Sequence, residues 1–333
     1  MEPPEALRVA LQTLAEEYPR RALAEAAASL SSAYRDEGDA PVPAALAAPV
    51  AATAYAVTRL PATYAALASA LTETSARLPE WRPHRLFDIG AGPGVSAWTA
   101  HTIWPSLASA TLVERDYRMI AVGKRLMDEA PSGCDVTWHA ADIIREPEAL
   151  RGGPFDLCLI SYALNELPHA ERLPLVERLW KLTSGALVLV APGTPAGFAA
   201  IREARGCLLD AGAHVVAPCP HGDVCPMAPG DWCHFSQRLA RSRLHRQLKG
   251  GDAPYEDEKF AYVAAARMSV QPFAARVIRH PVVRSGHISL HLCTPEGLQQ
   301  AEVTRSDKAS WRSAREAHWG SSLAALPEKR RPL

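Results

Sequence analysis

The chain has 333 residues, 36 Lys and Arg against 36 Asp and Glu, and no formal net charge. That length buries a sizeable core without cross-links, and apolar and charged shares of 48% and 22% are ordinary globular values, which excludes a disordered or disulfide-stapled chain. No apolar run is long enough to span a bilayer, so no membrane partner is expected, and zero net charge excludes a protein that coats nucleic acid over its whole surface.

The distribution of charge says more than the total. Residues 1–200 hold 17 Lys and Arg against 23 Asp and Glu, whereas residues 201–333 hold 19 against 13, so the halves carry −6 and +6. A basic C-terminal half suits a polyanionic partner, although mutual attraction of the two halves would account for the same numbers.

The first residues, MEPPEALRVALQTLAEE, carry acids early and lack both an apolar signal core and the Arg-rich, acid-poor composition of an organelle presequence. They predict a cytoplasmic location, where thiols stay reduced. Cys134, Cys158, Cys207, Cys219, Cys225, Cys233 and Cys293 are then read as metal ligands or core residues rather than disulfides.

Residues 5–75 are rich in Ala and Leu at helical spacing and predict an N-terminal helical region, residues 1–80, broken by Pro41, Pro43 and Pro49. A fresh helix is expected to begin at Arg59–Tyr64, with Pro61 in its first turn. From Arg85 short apolar segments alternate with helical stretches: RLFDIG, ATLVERD, VTWHAAD, FDLCLIS and ALVLVAP, separated by helices near 95–104, 117–129, 171–182 and 196–210. This alternation predicts an α/β domain over residues 81–333 with a parallel, doubly wound sheet. The alternation stops near residue 210, where a Cys/Pro/Gly-rich and basic insertion, about 218–258, is followed by antiparallel strands expected at 260–268 and 286–293. The last residues, EKRRPL, read as a frayed basic tail.

The sharpest local signal is Asp88-Ile89-Gly90-Ala91-Gly92-Pro93-Gly94, set between a predicted strand and a predicted helix. Glycines there turn the chain tightly and let a ligand approach the backbone. Val95 stands where a dinucleotide fingerprint wants glycine, and the spacing instead resembles the first motif of class I S-adenosylmethionine methyltransferases, a Rossmann-like fold. Glu114 ends the next strand, where an acid can accept from both ribose hydroxyls, and Asp142 follows the third strand, where the resemblance places an acid near the adenine amino group. Asp88 reads as an acid that orients the loop. The resemblance thus assigns S-adenosylmethionine to Asp88, Gly90, Gly92, Gly94, Glu114 and Asp142.

Chemistry in this fold usually follows the fourth strand, here SYALNELP. The Asn/Asp-Pro-Pro-aromatic loop of base-amine methylation is absent; Asn165 and Glu166 remain weak catalytic candidates, and Glu166 is equally read as a helix-start acid. Cys134, Cys158 and Cys207 read as a surface turn residue and two core residues rather than nucleophiles.

Cys219, Cys225 and Cys233 lie in CPHGDVCPMAPGDWC, and Cys293 in HISLHLCTPEG. Three thiols on one loop and one from a distant strand can close a four-thiolate site. The spacing is unlike the paired ligands of zinc ribbons and suits an iron–sulfur cluster, with zinc as the alternative. His221, His234 and His291 stand near the thiols, where one could replace a cysteine as ligand, but they are read as solvent-facing residues or as residues that support the ligands without binding the metal.

These pieces, with RLPATYAAL, FDIGAGPG, APGTPAGF, APCPHGDVCP, WCHFSQR, YEDEKFAYV and AREAHWG, resemble the methyltransferase-like family of small-ribosomal-subunit assembly proteins, mitochondrial and bacterial, over most of the chain after residue 55. The resemblance implies a [4Fe-4S] cluster held by Cys219, Cys225, Cys233 and Cys293, S-adenosylmethionine at the glycine loop, and the small ribosomal subunit or its rRNA as partner, with no DNA expected. The expected function is that of an assembly factor of the small subunit, with an active rRNA methyltransferase and a small-molecule methyltransferase as alternatives. Residues 235–249, with five Lys and Arg and no acid, are read as a basic helix whose Arg238, Arg241, His245 and Lys249 face RNA, and Arg276, Arg279, Arg284, Lys308, Arg312 and Arg315 extend that surface.

Overall fold

The computed structural model describes residues 1–36, 48–130, 133–150, 152–249 and 253–333. Pro41 and Pro43 lie outside the described residues, so the break expected there is not described.

Three helices open the chain: α1 (Glu5–Glu16), α2 (Arg20–Asp36) and α3 (Pro49–Arg77). Pro49 occupies the first turn of α3, where its missing N–H costs nothing. No new helix starts at Arg59; Pro61 sits inside a continuous 29-residue helix. Burial explains this, because α3 packs an Ala-rich surface against its neighbours along most of its length, and tertiary contact outweighs the single backbone bond a proline removes.

The alternation that follows is β1 (Arg85–Ile89), α4 (Val95–Ile103), β2 (Ser109–Glu114), α5 (Tyr117–Met127), β3 (Asp135–Ala140), β4 (Phe155–Ser161), α6 (His169–Leu182), β5 (Thr183–Pro192), α7 (Pro195–Asp210) and β6 (His214–Ala217). Then come β7 (Phe235–Ala240), α8 (Arg243–Lys249) and β8 (Tyr255–Ala266). The sheet order is β3-β2-β1-β4-β5-β8-β6, with β7 also on β8. Pairing is parallel from β3 through β5, and β8 runs antiparallel to both β5 and β6. This is the mixed sheet of the Rossmann-like methyltransferase fold. Its central strands are apolar on both faces because helices cover both, and two hydrophobic clusters occupy the two sides. Strand order reverses between β1 and β4, which opens a crevice beyond their carboxyl ends.

The expected basic helix over 235–249 is instead strand β7 followed by the short helix α8. Phe235 and Leu239 are buried on β7, which pairs with β8 from Phe235↔Phe260 to Ala240↔Tyr255, and that partner overrides local helix preference.

A second, antiparallel sheet follows, built from β9 (Ala275–Val277), β10 (Val282–Arg284), β11 (His287–Thr294), β12 (Gly297–Thr304), β13 (Ser322–Leu323) and β14 (Arg330–Pro332), with helix α9 (Lys308–Glu316) between β12 and β13. Its order is β13-β9-β11-β12-β14, with β10 on β11. The two strands expected at 260–268 and 286–293 therefore belong to different sheets. The basic tail is an edge strand, with Arg330 and Arg331 reaching Gln299 and Gln300 of β12.

Candidate functional site

Three glycines carry β1 into α4 with φ of 66° at Gly90, 53° at Gly92 and 79° at Gly94. A Cβ on Gly90 would stand 2.3 Å from the Ala163 Cβ, so the glycine loop presses against the loop after β4, whereas a Cβ on Gly92 meets nothing within 4 Å. Gly92 faces open space. A cavity of about 900 Å³ lies there, lined by Gly90, Gly92, Glu114, Asp142, Asn165 and Glu166, among others. Two expected residues lie elsewhere: Gly94 packs toward the Trp138 ring, and Asp88 is buried behind the loop, 2% exposed.

Glu114 spans the loop and the strand end. Its Oε2 accepts from the Gly92 amide at 2.9 Å and its Oε1 from the Asp116 amide at 2.8 Å. Burial raises its pKa despite those bonds. Asp88 accepts from the Ser96 hydroxyl, and burial pushes its carboxyl up to about 7. Asp142 Oδ1 accepts from the Ile144 amide at 3.0 Å, which leaves the carboxylate at the cavity edge.

Asn165 and Glu166 do line the cavity. Asn165 is only 5% exposed, yet its Oδ1 and Nδ2 have no partner among the described residues. Its carbonyl is tied by Arg172 Nη2 at 3.0 Å, which fixes the loop while the amide stays uncommitted. Glu166 stands 3.8 Å from Arg115, and burial raises its pKa. Sequence reasoning missed Tyr162, which takes φ +62° and donates its hydroxyl to Glu258 Oε1 at 2.8 Å. Arg59 of α3 meets the same oxygen at 3.4 Å. No sequence signal connects those three positions, since a strand end, a strand start and a helix interior meet only in the fold.

Cys219, Cys225, Cys233 and Cys293 line one small cavity between α7, the 218–234 loop and the second sheet. All seven cysteines are free thiols. Burial raises Cys219, lifts Cys233 far above the usual thiol range and pushes Cys293 up to about 12, and the other thiols of the set add to each shift. Among the described residues no group of three or more His, Cys, Asp and Glu is drawn in closely enough to hold a metal ion. His221 Nε2 is 3.6 Å from Cys293 Sγ, and buried Arg205 donates to the His221 carbonyl at 2.9 Å. His234 stacks on Trp232, and His291 lies on β11 away from the cavity lining. Cys158 is buried within β4 and pushed up to about 12, and burial pushes Cys134 up to about 11; neither lines the crevice.

The basic residues are placed differently from the expected arc. Arg238 makes a two-pronged pair with Asp257 at 2.8 Å for each bond. Arg241 at 3.1 Å, buried His245 at 3.5 Å and Lys249 at 3.9 Å all converge on Glu256 Oε2. Burial drives His245 down to about 4, so it is neutral near pH 7. Acids from β8 answer Arg238, Arg241 and Lys249, whereas Arg243 and Arg246 of α8 are exposed and meet no carboxylate among the described residues. Arg276 is buried and Arg279 pairs with Asp231, so neither extends a basic surface as expected.

Residues 49–324 match the family described as mitochondrial small ribosomal subunit Rsm22. The chain belongs to the Rsm22 family. The human mitochondrial ribosome assembly protein METTL17 is 31% identical over 288 residues, 82% of this chain and 62% of that protein. The mitochondrial Rsm22-cox11 tandem protein 2 of Schizosaccharomyces pombe is 26% identical over 324 residues, 80% of this chain and 42% of that protein. The Rsm22-family chain thus spans less than two thirds of either relative. Among solved structures, the magnesium protoporphyrin IX methyltransferase of Synechocystis PCC 6803 with bound SAM is similar at a TM-score of 0.40 and 14% identity, covering 71% of this chain and 89% of that one.

The family overturns the cytoplasmic location expected from the N-terminus. Its description and the names of the relatives point to mitochondria. The composition of the first residues is a weak address, because α1 uses them as a packed amphipathic helix with Leu7, Leu11 and Leu14 buried.

Proposed function

We propose that this Rsm22-family protein is an assembly factor of the small ribosomal subunit that binds S-adenosylmethionine in the crevice and a [4Fe-4S] cluster at the four cysteines, and contacts rRNA. The family match over 49–324 carries the reading. The crevice supports the nucleotide half: it has room, an open glycine backbone at Gly92 and carboxylates at two strand ends. When bound, S-adenosylmethionine supplies an electrophilic methyl group. Glu114 would orient the ribose, Asp142 the adenine edge, and the uncommitted Asn165 amide an acceptor group.

The donor chemistry supports the cluster half. Cys219, Cys225 and Cys233, half-buried, and buried Cys293 are four soft ligands lining one cavity, and Arg205 and Arg276 stand close enough to Cys219 and Cys293 to favour the anionic form. A cluster would supply the positive metal charge that keeps all four deprotonated and so fasten the 218–234 loop to β11. An active rRNA methyltransferase remains the second reading, favoured by Asn165, whose buried amide has no structural partner among the described residues.

Deleting the gene is expected to leave small-subunit particles that sediment as immature species, with a plasmid copy restoring the mature peak. A normal subunit profile in the deletion strain would overturn the proposal.

A further inference from the structure

A groove of about 440 Å³ runs between the β10 edge and α9 in the second sheet, lined by Val283, Arg284, Ile288, Arg305, Trp311 and Arg315. Its floor is apolar. Val283 pairs with Ile288 across β10 and β11, so both face α9, but Ile288 is fully buried whereas Val283 is 70% exposed. Half-buried Trp311 forms one wall.

Its rim is cationic. Arg284, Arg305 and Arg315 are exposed, and among the described residues none of the three makes an ion pair or a side-chain hydrogen bond. The Arg305 guanidinium lies 5.9 Å from the Trp311 ring centre. The nearby acids are occupied or turned away. Asp307 caps α9 through the Ser310 amide, Glu316 pairs with Arg312, and Glu302 stands opposite Ser289, on the face of β12 away from the groove. This contrasts with β7 and α8, where every cation of the expected arc meets a carboxylate or is a neutral histidine.

We propose that this groove binds single-stranded RNA, an unstacked base lying against Trp311 and Val283 while Arg284, Arg305 and Arg315 hold the flanking phosphates. Three free guanidinium forks around an apolar slot fit that polymer, because the forks match phosphate oxygens and an aromatic wall takes the face of any base. A duplex keeps its bases stacked and presents no exposed base face to such a slot. The proposal rests on and deepens the reading of this protein as an rRNA-contacting factor, and places an RNA surface on the second sheet instead of on Arg238, Arg241, His245 and Lys249.

The test is binding of a short fluorescent oligouridylate to the full chain, titrated at several salt concentrations. Arg305→Ala with Arg315→Ala is expected to weaken binding and to lower the salt dependence by about 1.4 in log–log slope, about 0.7 for each phosphate no longer neutralised. Trp311→Leu keeps apolar volume under the sheet and is expected to weaken binding about 10-fold with the salt slope unchanged. Failure of the wild-type chain to bind at low salt, wild-type affinity in both variants, or equal competition by polyglutamate overturns the proposal. Because the readout uses purified protein and no subunit, it fails or stands separately from the maturation profile of the deletion strain.

Discussion

Arg276 Nη2 lies 2.6 Å from Glu73 Oε1, an ion pair that joins β9 to α3 in the interior of the molecule. The same guanidinium, 1% exposed, donates from Nε to the Pro218 carbonyl at 2.7 Å and from Nη1 to the Gly320 carbonyl at 2.7 Å. One side chain thus ties the start of the cysteine loop, the second sheet and the N-terminal helices. Replacing it by Met strands a carboxylate and two carbonyls, and is expected to cost about 3–5 kcal/mol in urea unfolding. A midpoint equal to wild type would show the tie to be dispensable.

Asp88 gives a pH dependence with a definite sign. Its carboxyl is pushed up to about 7 in the folded chain from an ordinary value of 3.8, so between those values the folded state holds a proton that the unfolded state has lost. Its contribution to stability is therefore complete below about pH 4 and is lost as pH rises through about 7. Asp88→Asn keeps an acceptor for Ser96 and is expected to flatten that part of the stability curve. Chemical denaturation at several pH values reads it; an unchanged slope in the variant contradicts it.

The sequence made the parallel half legible because each strand there is a short apolar run between helices of ordinary length, and the glycine loop has a mechanism that can be read locally. Gly90, Gly92, Glu114 and Asp142 came together because each lies at or just beyond the carboxyl end of one of three adjacent parallel strands. Residues 235–249 were misread because β7 depends on a partner at 255–260, and a basic, Leu-spaced segment looks helical until that partner is in place. The same blindness to distant pairing hid Glu256 beneath Arg241, and Glu258 beneath Tyr162. The tail at 330–332 looked frayed for want of knowing that β12 offers it an edge.

Glu114→Ala removes the acceptor of the Gly92 and Asp116 amides as well as the proposed ribose contact. Losing charged hydrogen bonds of this kind is expected to weaken S-adenosylmethionine binding by about 100-fold in calorimetry. If methyl transfer is part of the function, Asn165→Ala is expected to abolish a methyl group in small-subunit rRNA while leaving cofactor affinity close to wild type. Unchanged affinity in Glu114→Ala removes the crevice from the account.

Protein purified without oxygen is expected to be brown, with iron and acid-labile sulfide in equal amounts. Cys293→Ser, at the ligand contributed by β11, is expected to lose the colour and to loosen the 218–234 loop, which limited proteolysis would register. Zinc in place of iron and sulfide contradicts the cluster.

We further propose that a cluster at the four cysteines, by fastening the 218–234 loop to β11, keeps the protein on the small subunit. Co-sedimentation with small-subunit particles, comparing the wild-type chain with the Cys219, Cys225, Cys233 and Cys293→Ser variant, tests it most directly. The account expects the wild-type chain in the small-subunit fractions and the variant at the top of the gradient. Equal co-migration of the two proteins would contradict it.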